Sequence, residues 1–140
     1  FLFLFFFFCA MLSLQGDFKP KFYERRKRME FTKDTSKVLV SIYKMYLERR
    51  KEGQSKTAAK QFDFEFYKDV PCLSSWSEDD VCDSLSELSN SGFIKEYISG
   101  DFEIQNALII QMENRFKNGL SDVTKYLADI IANIATGLVL

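Results

Sequence analysis

The sequence contains no histidine, only two prolines and a single tryptophan, and its charges nearly cancel, with 19 Lys and Arg against 20 Asp and Glu. Without imidazole, the chain lacks His-based acid–base catalysis, Ser-His and Cys-His nucleophile pairs, and His-ligated metal. A net charge of −1 also removes the simplest argument for a nucleic-acid-binding protein. What remains is an apolar chain of 140 residues, 46% hydrophobic, which fits one folded domain.

Catalytic and metal-binding motifs are also missing. Of the three cysteines, Cys72 and Cys82 form no CxxC pair and have no histidine to complete a zinc site. There is no Gly-rich phosphate loop and no nucleophile elbow. We therefore expect no enzyme, no cofactor, no metal and no small-molecule ligand, and we expect the cysteines to be reduced and partly buried.

The first 28 residues differ in composition from the rest. In Phe1–Leu14, 13 of 14 residues are apolar and none is charged, but a spanning helix needs roughly 18 residues. A secretory signal would carry a basic region before this stretch, and none is present. We predict that residues 1–28 are translated leader outside the fold. Glu24–Arg28 can be encoded GAA AGG AGA AAG AGA, which places an AGGAG ribosome-binding sequence just before a start codon at Met29.

The alternative is a genuine hydrophobic signal or anchor, followed by Lys19–Lys21 and Glu24–Arg28 as a basic juxtamembrane stretch. The leader hypothesis predicts a cytoplasmic protein, whereas the alternative predicts a membrane-anchored or secreted one. Residues 29–140 carry 13 basic and 18 acidic residues, a net charge of −5. We predict that they form a single acidic domain.

Apolar spacing predicts a first helix over Asp34–Glu52, capped by Asp34 or Thr35 and ended by Gly53. Gln54–Lys60 is polar and predicts a loop. The segment that follows is ambiguous. Alternating apolar and acidic residues over Gln61–Tyr67 indicate a strand, but Asp63 can cap a short helix over Phe64–Asp69, which is the structure we predict.

The clearest signal is Ser77-Glu78-Asp79-Asp80-Val81, an N-cap serine followed by acids in the first turn. It predicts a third helix over Glu78–Asn90. Phe93–Ser99 and Phe102–Ile104 then predict a β-hairpin with its turn at Gly100. Tyr97 and Phe102 are expected to pair across that hairpin, and Trp76 is expected to staple onto the third helix.

Residues 107–135 predict C-terminal helical structure with an amphipathic face. Its later apolar positions are Leu120, Val123, Leu127, Ile130 and Ile134. Their gaps of 3, 4, 3 and 4 residues are typical of a two-helix seam. Two interpretations are open: the seam pairs two copies into a homodimer, or the helix packs on its own domain.

The order helix, short helix, helix, hairpin, helix is that of a winged helix-turn-helix. Several runs are also similar to a known group: Trp76–Val81, Leu85–Leu88, Gly92–Ile94, Gly100–Ile104 and Met112–Leu120. Over Thr35–Ile134 the chain resembles small winged-helix proteins of bacterial prophages and mobile elements, broadly YjcQ-like. The resemblance implies an α+β, mostly α, winged helix-turn-helix fold with a C-terminal amphipathic helix. It implies a regulatory role and no catalytic residues.

Two functional hypotheses follow. The resemblance favours a transcription-regulator-like DNA-binding protein of a phage or mobile element. However, a DNA-reading third helix supplies Arg, Lys, Asn or Gln to the major groove, and Asp69–Ile94 contains six acids and no Lys or Arg. Those acids would repel phosphates. Charge therefore favours the alternative, an acidic winged-helix module for protein interaction or dimerisation that does not bind DNA.

Each hypothesis predicts its own surface. Duplex DNA would be contacted by the basic residues Lys44, Arg49, Arg50, Lys51, Lys56, Lys60 and Lys95. A basic protein partner or a second copy of the chain would be contacted by Glu78, Asp79, Asp83, Glu87, Leu120, Val123, Leu127, Ile130 and Ile134.

Overall fold

The computed structural model describes residues 31–135, so the predictions for residues 1–28 lie outside it. The elements are α1 (Lys33–Lys51), α2 (Lys56–Ala59), β1 (Gln61–Phe62), a 3₁₀ helix (Phe64–Asp69), α3 (Glu78–Asn90), β2 (Ile94–Glu96), β3 (Phe102–Ile104), α4 (Asn106–Arg115) and α5 (Leu120–Ala135). The described chain is mostly helical with one small antiparallel sheet, which confirms the predicted α+β class. No helix within residues 31–135 is long and apolar enough to cross a membrane.

Helix α1 begins one turn earlier than its predicted caps. The cap is Thr32, whose Oγ1 accepts a hydrogen bond from the Thr35 backbone N–H at 3.2 Å. Asp34 and Thr35 lie inside the first turn, so both predicted caps are wrong. The predicted end is confirmed, because Gly53 follows the last turn with φ of +94°, a conformation that favours glycine.

The segment between α1 and α3 is more ordered than its polarity suggests. Ser55 caps a single helical turn by accepting from the Ala58 N–H at 3.2 Å, so the predicted loop over Gln54–Lys60 is wrong in its middle. Both interpretations of the next stretch hold in part, because strand β1 runs directly into the 3₁₀ helix. The side chain of Asp63 makes no capping hydrogen bond, and burial of Phe66 and Tyr67 secures this turn instead.

Helix α3 confirms the prediction from its cap. Ser77 Oγ accepts a hydrogen bond from the Asp80 N–H at 3.3 Å, and the helix spans Glu78–Asn90 as expected. Val81, Leu85 and Leu88 form its buried face, which follows from their spacing of four and three residues. Ser84 is also buried, Cys82, Glu87 and Ser89 are half-buried, and the other side chains of the helix are exposed.

The sheet has the strand order β1-β3-β2, with antiparallel pairing throughout. Phe102 on the central strand lies opposite Phe62 on one side and Glu96 on the other. Its fully buried ring stacks on Phe62 at 5.3 Å and meets the edge of Phe66 at 5.3 Å. The predicted pairing of Tyr97 with Phe102 is wrong, because β2 ends at Glu96 and Tyr97 lies beyond it.

The core is organised around α1, which packs against α3, α4 and α5. Helix α4 contributes Leu108, Ile109 and Met112, and α5 contributes Val123 and Leu127. The ring of Phe116, between those helices, contacts Tyr126 at 5.7 Å. The α3 face and the aromatic cluster of the sheet complete one continuous core.

Replacing Phe102 by alanine removes the ring shared by β1 and the 3₁₀ helix. We expect the Phe102→Ala variant to lose about 3–5 kcal/mol of unfolding free energy, as for other buried aromatic truncations. Urea unfolding followed by Trp76 fluorescence measures this. Ile110→Ala is the control, since Ile110 is 58% exposed. Equal losses in the two variants would contradict the packing described here.

Candidate functional site

Four carboxylates lie close enough to the half-buried thiol of Cys82 on α3 to act on it electrostatically. They belong to Glu78, Asp79, Asp83 and Glu96, and we call them the acidic face. The pKa of Cys82 is raised, first by burial and then by the negative charge of all four carboxylates. Because Glu96 belongs to β2, the face extends from the third helix onto the hairpin.

The charge of this face is uncompensated at short range. Within residues 31–135, none of its carboxylates forms an ion pair; the described pairs are Lys37–Asp34, Lys44–Glu48 and Lys68–Glu65. Lys68 interacts electrostatically with Glu78, but the Nζ of Lys68 donates its hydrogen bond to Glu65 Oε1, at 3.0 Å. The face therefore presents a negative potential that attracts Lys and Arg and repels phosphate.

Glu87 does not belong to the acidic face, although the sequence placed it with these acids. It is half-buried, and its Oε2 accepts a hydrogen bond from Thr35 Oγ1 at 2.5 Å. Thr35 in turn accepts from the Thr32 hydroxyl at 3.0 Å. The carboxylate thus joins α3 to the first turn of α1, and its assignment to a partner surface stays a prediction.

Arg49 is the most constrained of the cations predicted to contact DNA. Its Nη1 donates to the Gln61 carbonyl at 2.5 Å and to the Ala59 carbonyl at 3.4 Å. Its guanidinium lies 4.3 Å from the centroid of the Phe62 ring. The side chain therefore clamps β1 against the end of α1, with its Nη1 donating to backbone carbonyls of the same chain.

The other predicted cations do not form one surface. Lys44 pairs with Glu48 at 3.7 Å, and the Lys60 Nζ donates to Asn106 Oδ1 at 2.6 Å. Lys95 lies opposite Glu103 on β2, an edge strand that β3 separates from β1. The exposed cations left near the end of α1 are Arg50, Lys51 and Lys56, which we call the basic cluster.

The amphipathic seam of α5 packs on its own domain. Val123 and Leu127 are buried, whereas Leu120 and Ile130 are half-buried. The helix packs against α1 of the same chain. The side chain of Ile134 lies outside the described part of the structure. Val123 and Leu127 thus pack within the domain, as the intramolecular interpretation predicts, and the homodimer stays a prediction.

Sequence analysis missed the most exposed apolar residue of the described chain, Ile98 at the tip of the hairpin. Tyr97 beside it is 40% exposed, and its hydroxyl donates to Glu103 Oε2 at 2.8 Å. A branched apolar residue inside a predicted turn was the available signal.

Trp76, by contrast, is half-buried and packs against the core, as expected for a staple. Among the described residues, no group of His, Cys, Asp and Glu side chains is placed to hold a metal ion.

If Arg49 clamps β1, its loss should destabilise the fold. We expect Arg49→Ala to lower the unfolding free energy by about 1–2 kcal/mol, because charge-assisted hydrogen bonds and a ring contact disappear. Arg50→Ala, one residue further along, should stay within about 0.5 kcal/mol of the parent protein. Urea unfolding compares them, and an Arg49→Ala protein as stable as the parent would contradict the clamp.

The raised pKa of Cys82 predicts how the alkylation of this thiol depends on pH. A raised thiol pKa leaves less thiolate at a given pH, so alkylation of Cys82 should begin at a higher pH than in an unstructured peptide. Neutralising the acidic face with Asp79→Asn and Asp83→Asn should move this profile to lower pH, whereas Asp129→Asn on α5 should not. Iodoacetamide rates, read for the Cys82 peptide by mass spectrometry, measure it. An unmoved profile would contradict the charge effect.

Comparison with known proteins found no family model, no curated protein and no solved structure that matches this chain. The case for its function therefore depends on the geometry and charge of the surfaces described above.

Proposed function

We propose that this chain is a winged-helix domain that binds a basic protein partner through the acidic face. The order of α1, β1, the 3₁₀ helix, α3 and the β2–β3 hairpin supports the fold assignment. In a winged helix-turn-helix, the third helix runs into the hairpin and is the helix that meets the ligand. Helix α3 stands at that place in the chain, so its exposed side chains decide what the domain binds.

The observation that carries the proposal is the charge of α3. Glu78, Asp79 and Asp83 are exposed on it, and the sequence supplies no Lys or Arg from Asp69 to Ile94. A phosphate brought close to one carboxylate is repelled by about 1 kcal/mol even in bulk water. The same charges attract Lys and Arg side chains and accelerate association with a basic surface. The role is one of binding, with no catalytic step.

Duplex DNA is the second candidate, and the basic cluster favours it. Arg50, Lys51 and Lys56 are exposed near the end of α1, and the Nη1 of Arg50 donates a hydrogen bond to the Gln54 carbonyl at 3.0 Å. Three cations neutralise few phosphates, however, and each neutralised phosphate contributes to the binding free energy through counterion release. A regulator-like DNA contact would have to use this cluster and turn α3 away from the duplex.

The test uses the full chain and two fluorescently labelled probes at low salt, a peptide of alternating Arg and Ser and a random DNA duplex. Fluorescence anisotropy should show binding of the peptide. It should show no binding of the duplex up to about 100 μM protein, the weak end of ordinary non-specific DNA affinity. The triple variant Glu78→Gln, Asp79→Asn, Asp83→Asn should bind the peptide at least about tenfold more weakly, because it loses up to three close charge pairs worth about 1 kcal/mol each, and about 1.4 kcal/mol is a factor of ten.

A matched triple variant separates the acidic face from net charge. Glu52→Gln, Glu113→Gln and Asp129→Asn remove three exposed acids elsewhere and change the total charge equally, yet should leave peptide affinity within about twofold. Equal weakening by both triple variants would overturn the proposal. Saturable duplex binding that disappears with Arg50→Ala, Lys51→Ala and Lys56→Ala would overturn it in favour of DNA. Circular dichroism checks the fold, since acids in the first turn also stabilise α3.

A further inference from the structure

The hairpin tip presents an isoleucine that nothing in the described chain covers. The side chain of Ile98 has a relative exposure of 109%, the highest among the exposed large hydrophobic residues, and Tyr97 beside it is 40% exposed. The others, Ile110 on α4 and Ile131 on α5, are 58% and 41% exposed. Single exposed apolar side chains are common on proteins, so the case for Ile98 depends on how the turn holds it.

The turn is fixed on both sides of Ile98. The Gly100 N–H donates to the Tyr97 carbonyl at 3.0 Å, and the Tyr97 N–H donates to the Asp101 carbonyl at 2.8 Å. Gly100 has φ of +89°, and a Cβ built there would lie 3.6 Å from the Cβ of Phe64. The tip therefore rests against the 3₁₀ helix, whose Phe66 and Tyr67 are buried in the core.

Side chains brace the same turn. The Tyr97 hydroxyl is bonded to Glu103 on β3, and the Lys95 Nζ lies 5.6 Å from the centroid of the Tyr97 ring. Lys95 and Glu103 are also partners in the strand register. Ile98 is thus held on a preorganised tip, which lowers the entropy cost of binding with it.

The fold does not require isoleucine at this position. Ile98 and Ser99 are the central residues of a turn closed by the Tyr97–Gly100 hydrogen bond, and polar residues suit such positions better than branched apolar ones. Ile98 contributes no burial to the core. A serine would satisfy the turn equally well, so the turn itself does not account for the apolar side chain.

We propose that Ile98 is an apolar anchor that inserts into a pocket of the basic protein partner while the acidic face binds that partner's Lys and Arg side chains. This inference rests on the proposed function and names the second half of the interface. Charge complementarity identifies the occupant. Glu96 of the acidic face lies two residues before Ile98, within about 7 Å along an extended chain, and Asp101 lies three residues after it.

This arrangement disfavours a phosphate backbone as the occupant of the tip, because residues 95–104 carry three carboxylates, those of Glu96, Asp101 and Glu103, against one cation, Lys95. It resembles the usual anatomy of protein interfaces, in which an apolar anchor is surrounded by polar and charged contacts. The partner surface is therefore basic, with an apolar pocket or side chain among its cations.

The test adds an apolar residue to the peptide probe. A labelled peptide of alternating Arg and Ser is compared with the same peptide carrying one central Leu, using the full chain and fluorescence anisotropy. The Leu peptide should bind the parent protein more tightly. Ile98→Ser should weaken binding of the Leu peptide about tenfold, which is the scale of burying one aliphatic side chain. It should leave the affinity for the peptide without Leu unchanged. Ile110→Ser, which removes an exposed isoleucine from α4, should change neither affinity.

The outcomes separate this inference from the proposed function. If both peptides bind through the acidic face but Ile98→Ser leaves the preference for Leu unchanged, the anchor is overturned and the acidic interaction stands. If Ile110→Ser has the same effect as Ile98→Ser, the preference for the Leu peptide reflects non-specific hydrophobic association, and the anchor is again overturned. If neither peptide responds to the acidic-face variant, the proposed function fails and the anchor fails with it.

Discussion

The burial of α1 on nearly all sides is the constraint on which the rest of the domain depends. Its residues from Val38 to Tyr43 are buried without a break, which places the helix inside the fold instead of on one side of it. Ser41 is tolerated there because its hydroxyl donates to the Lys37 carbonyl at 2.7 Å. Helices α3, α4 and α5 pack against this central helix, so each exposes only its outward face. The acidic face exists because α3 turns its apolar stripe toward α1.

The distribution of charge follows from the same arrangement. Cations near α1 lie close to backbone carbonyls and aromatic rings, and Arg49 is the clearest example, with its guanidinium over Phe62. Carboxylates have no comparable internal donors on the outside of α3, with the exception of Glu87, which reaches the Thr35 hydroxyl. The domain therefore directs several of its positive charges inward and its acids outward. Part of the net charge of −5 that residues 29–140 carry is thus concentrated on the exposed side of α3.

Local signals in the sequence predicted the elements that are determined locally. Ser77 with the acids after it defined α3, and Gly53 and Gly100 marked a helix end and a turn, because caps and positive φ depend on neighbouring residues alone. Contacts between distant segments escaped prediction. The Thr32 cap was missed because Thr35 is an equally suitable capping residue in the sequence. In the structure, the Thr35 hydroxyl donates to Glu87 on α3 instead. Arg49 was assigned to a DNA-binding surface because no local pattern reveals its hydrogen bonds to the carbonyls of Ala59 and Gln61, ten and twelve residues away in the sequence. The prediction that Tyr97 pairs with Phe102 was wrong because β2 ends at Glu96, which lies opposite Phe102 instead. The end of β2 is set by the tertiary fold, so no local pattern revealed it.

The pairing of β1 with β3 has a consequence for how the chain reaches its fold. Gln61 and Glu103 are cross-strand neighbours although about 40 residues separate them, a loop whose closure carries an entropic cost. The partner of β1 is β3, the last of the strands described within residues 31–135 to leave the ribosome, so β1 has unpaired backbone groups while α3 and the hairpin are made. Because contacts close in sequence form before distant ones, the hairpin is assembled first and β1 is added to its edge. The two-residue length of β1 limits the number of unpaired backbone groups through which it could pair with another chain.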